Sequence, residues 1–438
     1  MLKSLFAVVL IVIIGFSCIN PPIELNDLLY IPVEQSIGYS LLPSQTEITN
    51  PQLINFSIAT KGTSLSFKNT PGQNLRVEAF KDDKPIENLE YREFETGITG
   101  GDIVIDRDNP LVLQIDISQK TTGLPDGEYV YRLYSEQADL KNIDPIELKV
   151  TYKSDPQYVK SLNYHPRGSM GLILYFPDRD SKYLVPVTRF VPDNPAVLTQ
   201  TIENLGKGPD PATTLGTGPI IPGVSKVYYS GSTVYIETDS ESDQAPDTDM
   251  LQLALESIVA AMTEIPGMRR VQFLPGGKRV DEIAPGIPVR NPWTGDTGPA
   301  AYLPYNTFDR YLLFPYRPDL SDTLTIREQC LILFDTLKEG LPEDPLVEPV
   351  IPEEVELLNV YYANRTLRLD FNSAFLNAYG EDRRRQSMMM DALLYTFSSI
   401  EGVNNMQFMI EGDNRHTYAD HNLEALLTRP LYINPEKN

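Results

Sequence analysis

The 438-residue chain carries 37 Lys and Arg against 60 Asp and Glu, a formal net charge of −23, with 41% hydrophobic and 22% charged residues. That composition is globular, and the length allows about three domains of ordinary size. A surface this acidic argues against nucleic acid or anionic lipid as a direct partner, because both need clustered cations. Two cysteines, Cys18 and Cys330, exclude a disulfide framework.

The first element is an export signal, residues 1–17. Lys3 precedes an unbroken apolar stretch from Leu5 to Ile14, and Gly15-Phe16-Ser17-Cys18 follows with small residues. Asn20, Pro21 and Pro22 end the run too early for a membrane span, which takes about 20 apolar residues. Cys18 directly after Ser17 resembles the lipobox of bacterial lipoproteins, although Gly15 stands where that motif usually has Leu. The resemblance implies diacylation of Cys18 and an extracytoplasmic protein held at the membrane by its lipid; the alternative is a plain secretory signal with an incidental cysteine. Two acyl chains suffice for stable attachment. Residues 18–42 then read as a lipidated tether, with apolar spots at Leu28 to Ile31 that offer a first strand instead.

Residues 43–155 have period two. Ile54-Phe56-Ile58, Leu65-Phe67, Leu75-Val77-Ala79, Leu111-Leu113-Ile115-Ile117, Tyr129-Tyr131-Leu133 and Ile146-Leu148-Val150-Tyr152 alternate with polar residues and are separated by turn formers. About seven short strands without an intervening helix predict an all-β sandwich. Leu124-Pro-Asp126-Gly127-Glu-Tyr129 resembles the turn into a late strand of immunoglobulin-like domains, where a tyrosine closes a corner.

From Leu172 the order changes to β-β-α-β-β-α-β. Leu172 to Asp178 and Tyr183 to Arg189 read as a hairpin. A helical stripe through Ala196, Val197, Thr201, Ile202 and Leu205 stops at Gly206 and Gly208. Strands follow at Ser225 to Tyr229 and Thr233 to Thr238, then a helix from about Asp249 to Glu264 and a strand at Val271 to Leu274. The same unit recurs. Ile265-Pro-Gly267 and Val271-Gln272-Phe273 align with Ile400-Glu-Gly402 and Met406-Gln407-Phe408, and Gly276 aligns with Gly412. Ile221-Pro222, Val227-Tyr228-Tyr229 and Thr233 to Ile236 align with Ile351-Pro352, Val360-Tyr361-Tyr362 and Thr366 to Leu369. Two modules are therefore expected, at 165–285 and 307–425, with a proline-rich linker at 286–306 and a C-terminal tail at 426–438.

Phe176-Pro-Asp178, Val185-Pro-Val-Thr-Arg189, the turn Leu205-Gly-Lys-Gly-Pro209, Ile221-Pro222 and Ile265-Pro-Gly267 before Val271-Gln-Phe273 resemble the GerMN domain of bacterial sporulation and germination proteins. The second copy departs from it at Glu339-Gly340-Leu341-Pro342 and at Glu401. The resemblance covers about 250 residues and implies an α/β module similar to the ring-building folds of sporulation complexes, used for protein assembly in the envelope. The whole chain then reads as an α+β multidomain lipoprotein, its immunoglobulin-like sandwich followed by two GerMN-type modules.

His416 and His421 with Asp413 and Asp420 match no standard zinc spacing and read as a solvated loop, and His165 reads as an interdomain residue. The acidic run Glu237 to Asp249 lacks the ligand order of a calcium loop and reads as a solvated stretch before a helix cap at Thr248 or Asp249. Arg383-Arg384-Arg385 reads as an exposed helix start, with a partner-facing patch as the alternative. Cys330 falls on a helical stripe and reads as a buried small apolar residue. No Gly-x-Ser-x-Gly elbow is present, Tyr229-Ser-Gly-Ser232 reads as a hairpin turn, and Pro275-Gly-Gly-Lys278 lacks phosphate-loop spacing. These readings predict no catalytic, cofactor or metal residue, and a scaffold acting by self-association or with envelope proteins. Two alternatives remain: a peptidoglycan or glycan-binding module using exposed tyrosines, and a wall hydrolase with paired carboxylates.

Overall fold

The structure is a computed structural model that describes residues 37–42, 44–60, 64–68, 73–94, 101–106, 108–137, 140, 142–213, 215, 223–239, 248–321 and 323–436. Cys18 and the rest of the export segment lie outside the described residues. The chain divides into two compact units, 1–153 and 154–438.

The first unit is built from strands. Ile37–Leu42, Leu53–Thr60, Leu111–Asp116 and Arg92–Phe94 form one sheet in that order. Glu47–Thr49, Ile146–Tyr152, Gly127–Tyr134, Arg76–Lys81 and Lys84–Pro85 form another. Alternate side chains from both sheets enter one core, with Phe56, Ile58, Ile115, Tyr131, Leu133 and Leu148 fully buried, as a half-buried strand requires. The unit starts earlier than expected. Ile37–Leu42, read as tether, pairs antiparallel with Leu53–Thr60 and buries Leu41. Gly38 and Ser40 dilute its alternation, which hid the strand. At the expected corner the Tyr129 hydroxyl donates to the Pro125 carbonyl at 2.9 Å, and Gly127 takes φ +152 beside it.

The second unit holds both modules. In the first module, β1 (Ser169–Pro177) and β2 (Leu184–Pro192) form a hairpin, followed by α1 (Val197–Gly206), β3 (Val224–Ser230), β4 (Thr233–Thr238), α2 (Thr248–Thr263) and β5 (Arg270–Pro275). The second repeats this as β6 (Ala301–Asn306), β7 (Arg310–Tyr316), α3 (Ile326–Glu339), β8 (Leu357–Ala363), β9 (Thr366–Phe371), α4 (Arg383–Ser398) and β10 (Asn405–Ile410). In both copies the first two of the three sheet strands are antiparallel and the last two parallel. The long helix buries its apolar face on the hairpin and on the parallel strands. Both helix-to-strand turns need a left-handed residue, and Gly267 and Gly402 supply it at φ +89 and +88. This is the physical reason the glycine recurs.

Residues 286–306 are packed and do not form a free linker. Trp293–Thr294 adds antiparallel to β5, and β6 is the first hairpin strand of the second module, buried along its length. Pro304 is tolerated inside it because β6 lies at the edge of its sheet. The second module therefore begins at 301, ahead of the expected 307.

The segment after residue 154 and the expected tail are both built into this unit. Gln157–Tyr158 pairs with β7, and Tyr158 and the Ser161 amide donate to the carboxylate of Asp391, fully buried in α4, at 2.7 and 2.8 Å. At the other end, Leu427 exchanges two 2.8 Å backbone bonds with Met406, and Tyr432 pairs with Leu162. Asn434 is buried between the hairpins. Its amide donates to the Pro186 and Leu313 carbonyls at 2.7 Å each, and its carbonyl oxygen accepts from the Leu313 amide at 3.0 Å. Glu436 closes the strap with a two-point ion pair to Arg189 at 2.6 and 2.8 Å. Because an unpaired buried amide costs about 1–3 kcal/mol, this geometry joins β2 to β7 through one side chain.

Candidate functional site

Two surface features stand out, and the first is a pair of open strand edges. Among the described residues β3 pairs only with β4, and β8 only with β9. On the opposite side of each sheet the edge is covered, by Trp293–Thr294 on β5 and by Leu427 on β10. The open strands carry exposed tyrosines at repeated positions: Tyr229 is 63% exposed, Tyr361 55% and Tyr362 41%. Tyr228 stacks on Tyr235 of β4 with ring centroids 5.2 Å apart. Leu358 on β8 and Leu331 and Ile332 on α3 extend the apolar surface of the second module. Both strands bulge at their first turn, between Val224 and Lys226 and between Leu357 and Asn359. Such bulges add twist to an edge.

The second feature is a cleft of about 900 Å³ inside the second unit, between α2 of the first module and the hairpin and α4 of the second. Its floor holds Tyr302 from β6 and Tyr175 from β1, both buried. The Tyr175 hydroxyl donates to Glu264 at 2.7 Å, and Arg429 reaches the same carboxylate at 3.4 Å. Burial, with Glu264 adding to it, pushes the Tyr175 hydroxyl well above the ordinary tyrosine range. Arg429 also lies over the Tyr395 ring at 5.1 Å, a cation–π position that fixes the guanidinium.

One wall of the cleft is the loop from Pro292 to Gly298. Trp293 is half-buried, its indole nitrogen donates to the Pro288 carbonyl at 2.8 Å, and its ring meets Phe273 edge-on at 5.8 Å. A Cβ on Gly295 would sit 2.3 Å from Thr263 Oγ1, so only glycine lets the loop lie this close to α2. Arg317 holds the loop from the other side, 2.9 Å from the Asp296 carboxylate and donating to the Asp296 carbonyl at 2.7 Å. Lys182, Arg317 and Arg429 face Glu256, Glu264 and Asp296 around the cleft. Charge is balanced there in a chain that is otherwise strongly acidic.

The histidines do not line the cleft. His416 precedes a small hairpin, Thr417–Tyr418 with His421–Asn422, and His421 lies in its second strand. Asp413 is held by Arg415 at 2.8 Å, and Asp420 by Arg383 at 2.8 Å. Among the described residues no group of three His, Cys, Asp or Glu is placed to share a metal ion. Burial, and then Lys160, lowers the pKa of His421 to about 4, and its Nε2 is buried without a hydrogen-bond partner. His165 is exposed, with its ring edge-on to Tyr432. The acidic run at 240–247 lies outside the described residues.

The three arginines are held within the second unit. Arg383 bonds Asp420, Arg384 bonds Gln157, and Arg385 donates to Tyr311 at 3.1 Å with Glu348 behind it, while Asp382 caps the helix. Cys330 is fully buried, and burial pushes its thiol up to about 12. Ser230 and Thr233 close the predicted hairpin, with Gly231 at φ +59. Sequence reasoning missed the cleft, whose lining comes from positions as far apart as 175 and 429.

Residues 173–281 and 321–416 match the Germane family, described as Sporulation and spore germination. The two matched segments lie in tandem. Each match falls on one copy of the repeat expected from the glycine turns. Among solved structures, the tandem GerMN domains of the sporulation protein GerM from Bacillus subtilis are similar at 17% identity and a TM-score of 0.48, over 60% of this chain and 99% of that one. A candidate lipoprotein from Clostridium perfringens is 20% identical over 29% of this chain and 88% of its own, with a TM-score of 0.21. Among curated proteins no match is found.

Proposed function

We propose that this is a non-catalytic assembly protein of the cell envelope, exported, anchored at the membrane through a lipidated Cys18, and acting in sporulation or spore germination. The family description supports the process. The corner tyrosine, Tyr129, supports reading the N-terminal unit as immunoglobulin-like.

The observation that carries the assembly reading is the pair of open edges on β3 and β8, each with exposed tyrosines. An unpaired strand presents a row of backbone donors and acceptors to another chain, and tyrosine is enriched where protein surfaces meet. Because each chain offers two such edges, pairing the β3 edge of one copy with the β8 edge of the next is head-to-tail. Head-to-tail contacts close into a ring or extend into a filament.

Sedimentation velocity and light scattering on residues 20–438 test this. Discrete oligomers that grow with concentration, and that collapse to monomer in the double variant Tyr229→Lys and Tyr361→Lys, are expected. A monomer at every concentration contradicts self-assembly and shifts the reading to envelope partners or wall.

A further inference from the structure

The cleft is not needed for strand pairing, and its lining has a chemistry of its own. Trp293 is the single tryptophan of the chain, and its indole nitrogen is already satisfied by Pro288, so the ring is available for stacking and not for hydrogen bonding. Tyr302 lies on the floor, and its hydroxyl makes no hydrogen bond among the described residues while facing the charges of Arg429, Glu264 and Arg317. Around these rings stand carboxylates that accept from hydroxyl groups and guanidinia that donate to ring and carbonyl oxygens.

Fixed aromatic faces combined with alternating planar donors and acceptors suit a ligand that has an apolar C–H face and a rim of hydroxyls. That is a pyranose. Balanced charge disfavours a polyanion, and a purely apolar ligand would leave the buried polar groups unpaired at a cost. The wall is held in place before any ligand arrives, by the Trp293–Thr294 strand pairing, by Gly295 against Thr263 and by the Arg317 clamp on Asp296. Preformed walls reduce the ordering cost of binding.

We infer that the cleft binds an uncharged oligosaccharide, with a sugar ring stacked on Trp293 and its hydroxyls shared between the Asp296–Arg317 and Glu264–Arg429 pairs. This goes beyond the assembly reading and does not depend on it. The sugar could be a plain hexose chain or one bearing N-acetyl groups, and the two share the recognised chemistry.

The test uses the export-processed chain and the fluorescence of Trp293, which reports on this cleft alone. Titration with the β-1,4 tetramer of glucose and, separately, of N-acetylglucosamine is expected to give a saturable emission change with at least one of them. The arm that saturates identifies the source. Asp296→Asn and Tyr302→Phe, which leave the backbone packing in place, are each expected to weaken binding about tenfold, or about 1.4 kcal/mol. Trp293→Ala, followed by calorimetry, is expected to abolish it. Silence from both sugars up to about 10 mM, where a millimolar site would be mostly filled, overturns the inference. So do unchanged affinities in the variants, or saturation by a tetra-alanine peptide in place of either sugar.

Discussion

The two modules share a backbone plan and differ in what fills it. In the second, Phe408 meets Phe371 at 5.7 Å and Phe375 at 6.2 Å, and Phe375 packs on Tyr418 at 4.9 Å. In the first module Phe273 shares its core with Val234, Ile236 and Ile258, and among the described residues Trp293 is its one ring partner, edge-on at 5.8 Å. Helix ends differ in the same direction. α3 starts with a complete capping box between Thr325 and Glu328 and α4 with Asp382, while α1 starts at Ala196 without a side-chain cap. Duplication has kept the turns and strand pairings, which set the fold. The packing and caps, which set stability, have diverged.

The largest effects should come from the aromatic cores. Phe408→Ala is expected to cost about 4–5 kcal/mol and Phe273→Ala about 3 kcal/mol, measured by denaturant unfolding. Equal losses would break the contrast between the cores. Acid should act next. Unfolded histidine takes up its proton near pH 6.5, whereas folded His421 resists until about pH 4, so the unfolded state binds more protons between those values and stability falls as pH drops through that window. Discounted for the partial solvent exposure of the ring, the loss is about 1–2 kcal/mol. In His421→Gln the midpoint should change less over the same pH range, and an unaltered slope would contradict the assignment.

The paired glycines sharpen the comparison further. Gly267→Ala should cost about 1–2 kcal/mol for its left-handed backbone alone, since nothing lies within 4 Å of the added Cβ. Gly402→Ala should cost somewhat more, because its Cβ would sit 2.9 Å from the Tyr362 hydroxyl and displace the bond that hydroxyl makes to the Gly402 carbonyl. Thermal melts of the two variants compare them directly. The smallest effect is at the caps: Thr325→Ala should lose about 1 kcal/mol, while Ala196→Ser should be neutral or gain a few tenths.

Much of the repeat was legible in the sequence because its signals are local. A glycine at a left-handed turn, a helical apolar stripe and a run of alternating residues each announce themselves within one element, and α2, β3, β4 and β5 lie within a residue or two of where those signals place them. What was not legible depends on partners far along the chain. Pro304 hides the strand β6, since only the sheet order reveals that the strand is an edge. Asp391 breaks an apolar helix face for Tyr158 and Ser161, more than 200 positions away. Asn434 reads as tail until Pro186 and Leu313 are seen on either side of it. The cleft combines both difficulties.

The central structural claim is that two diverged copies form one body, closed by the residues from Leu427 to Glu436. Hydrogen exchange read peptide by peptide tests it most directly. In the intact chain β1 and β2 of the first module and β6 and β7 of the second are predicted to exchange through one shared opening with the same free energy, and deletion from Leu431 onward is predicted to separate them, with the first module opening more easily. Different exchange energies in the intact chain, or no separation after the deletion, would contradict it.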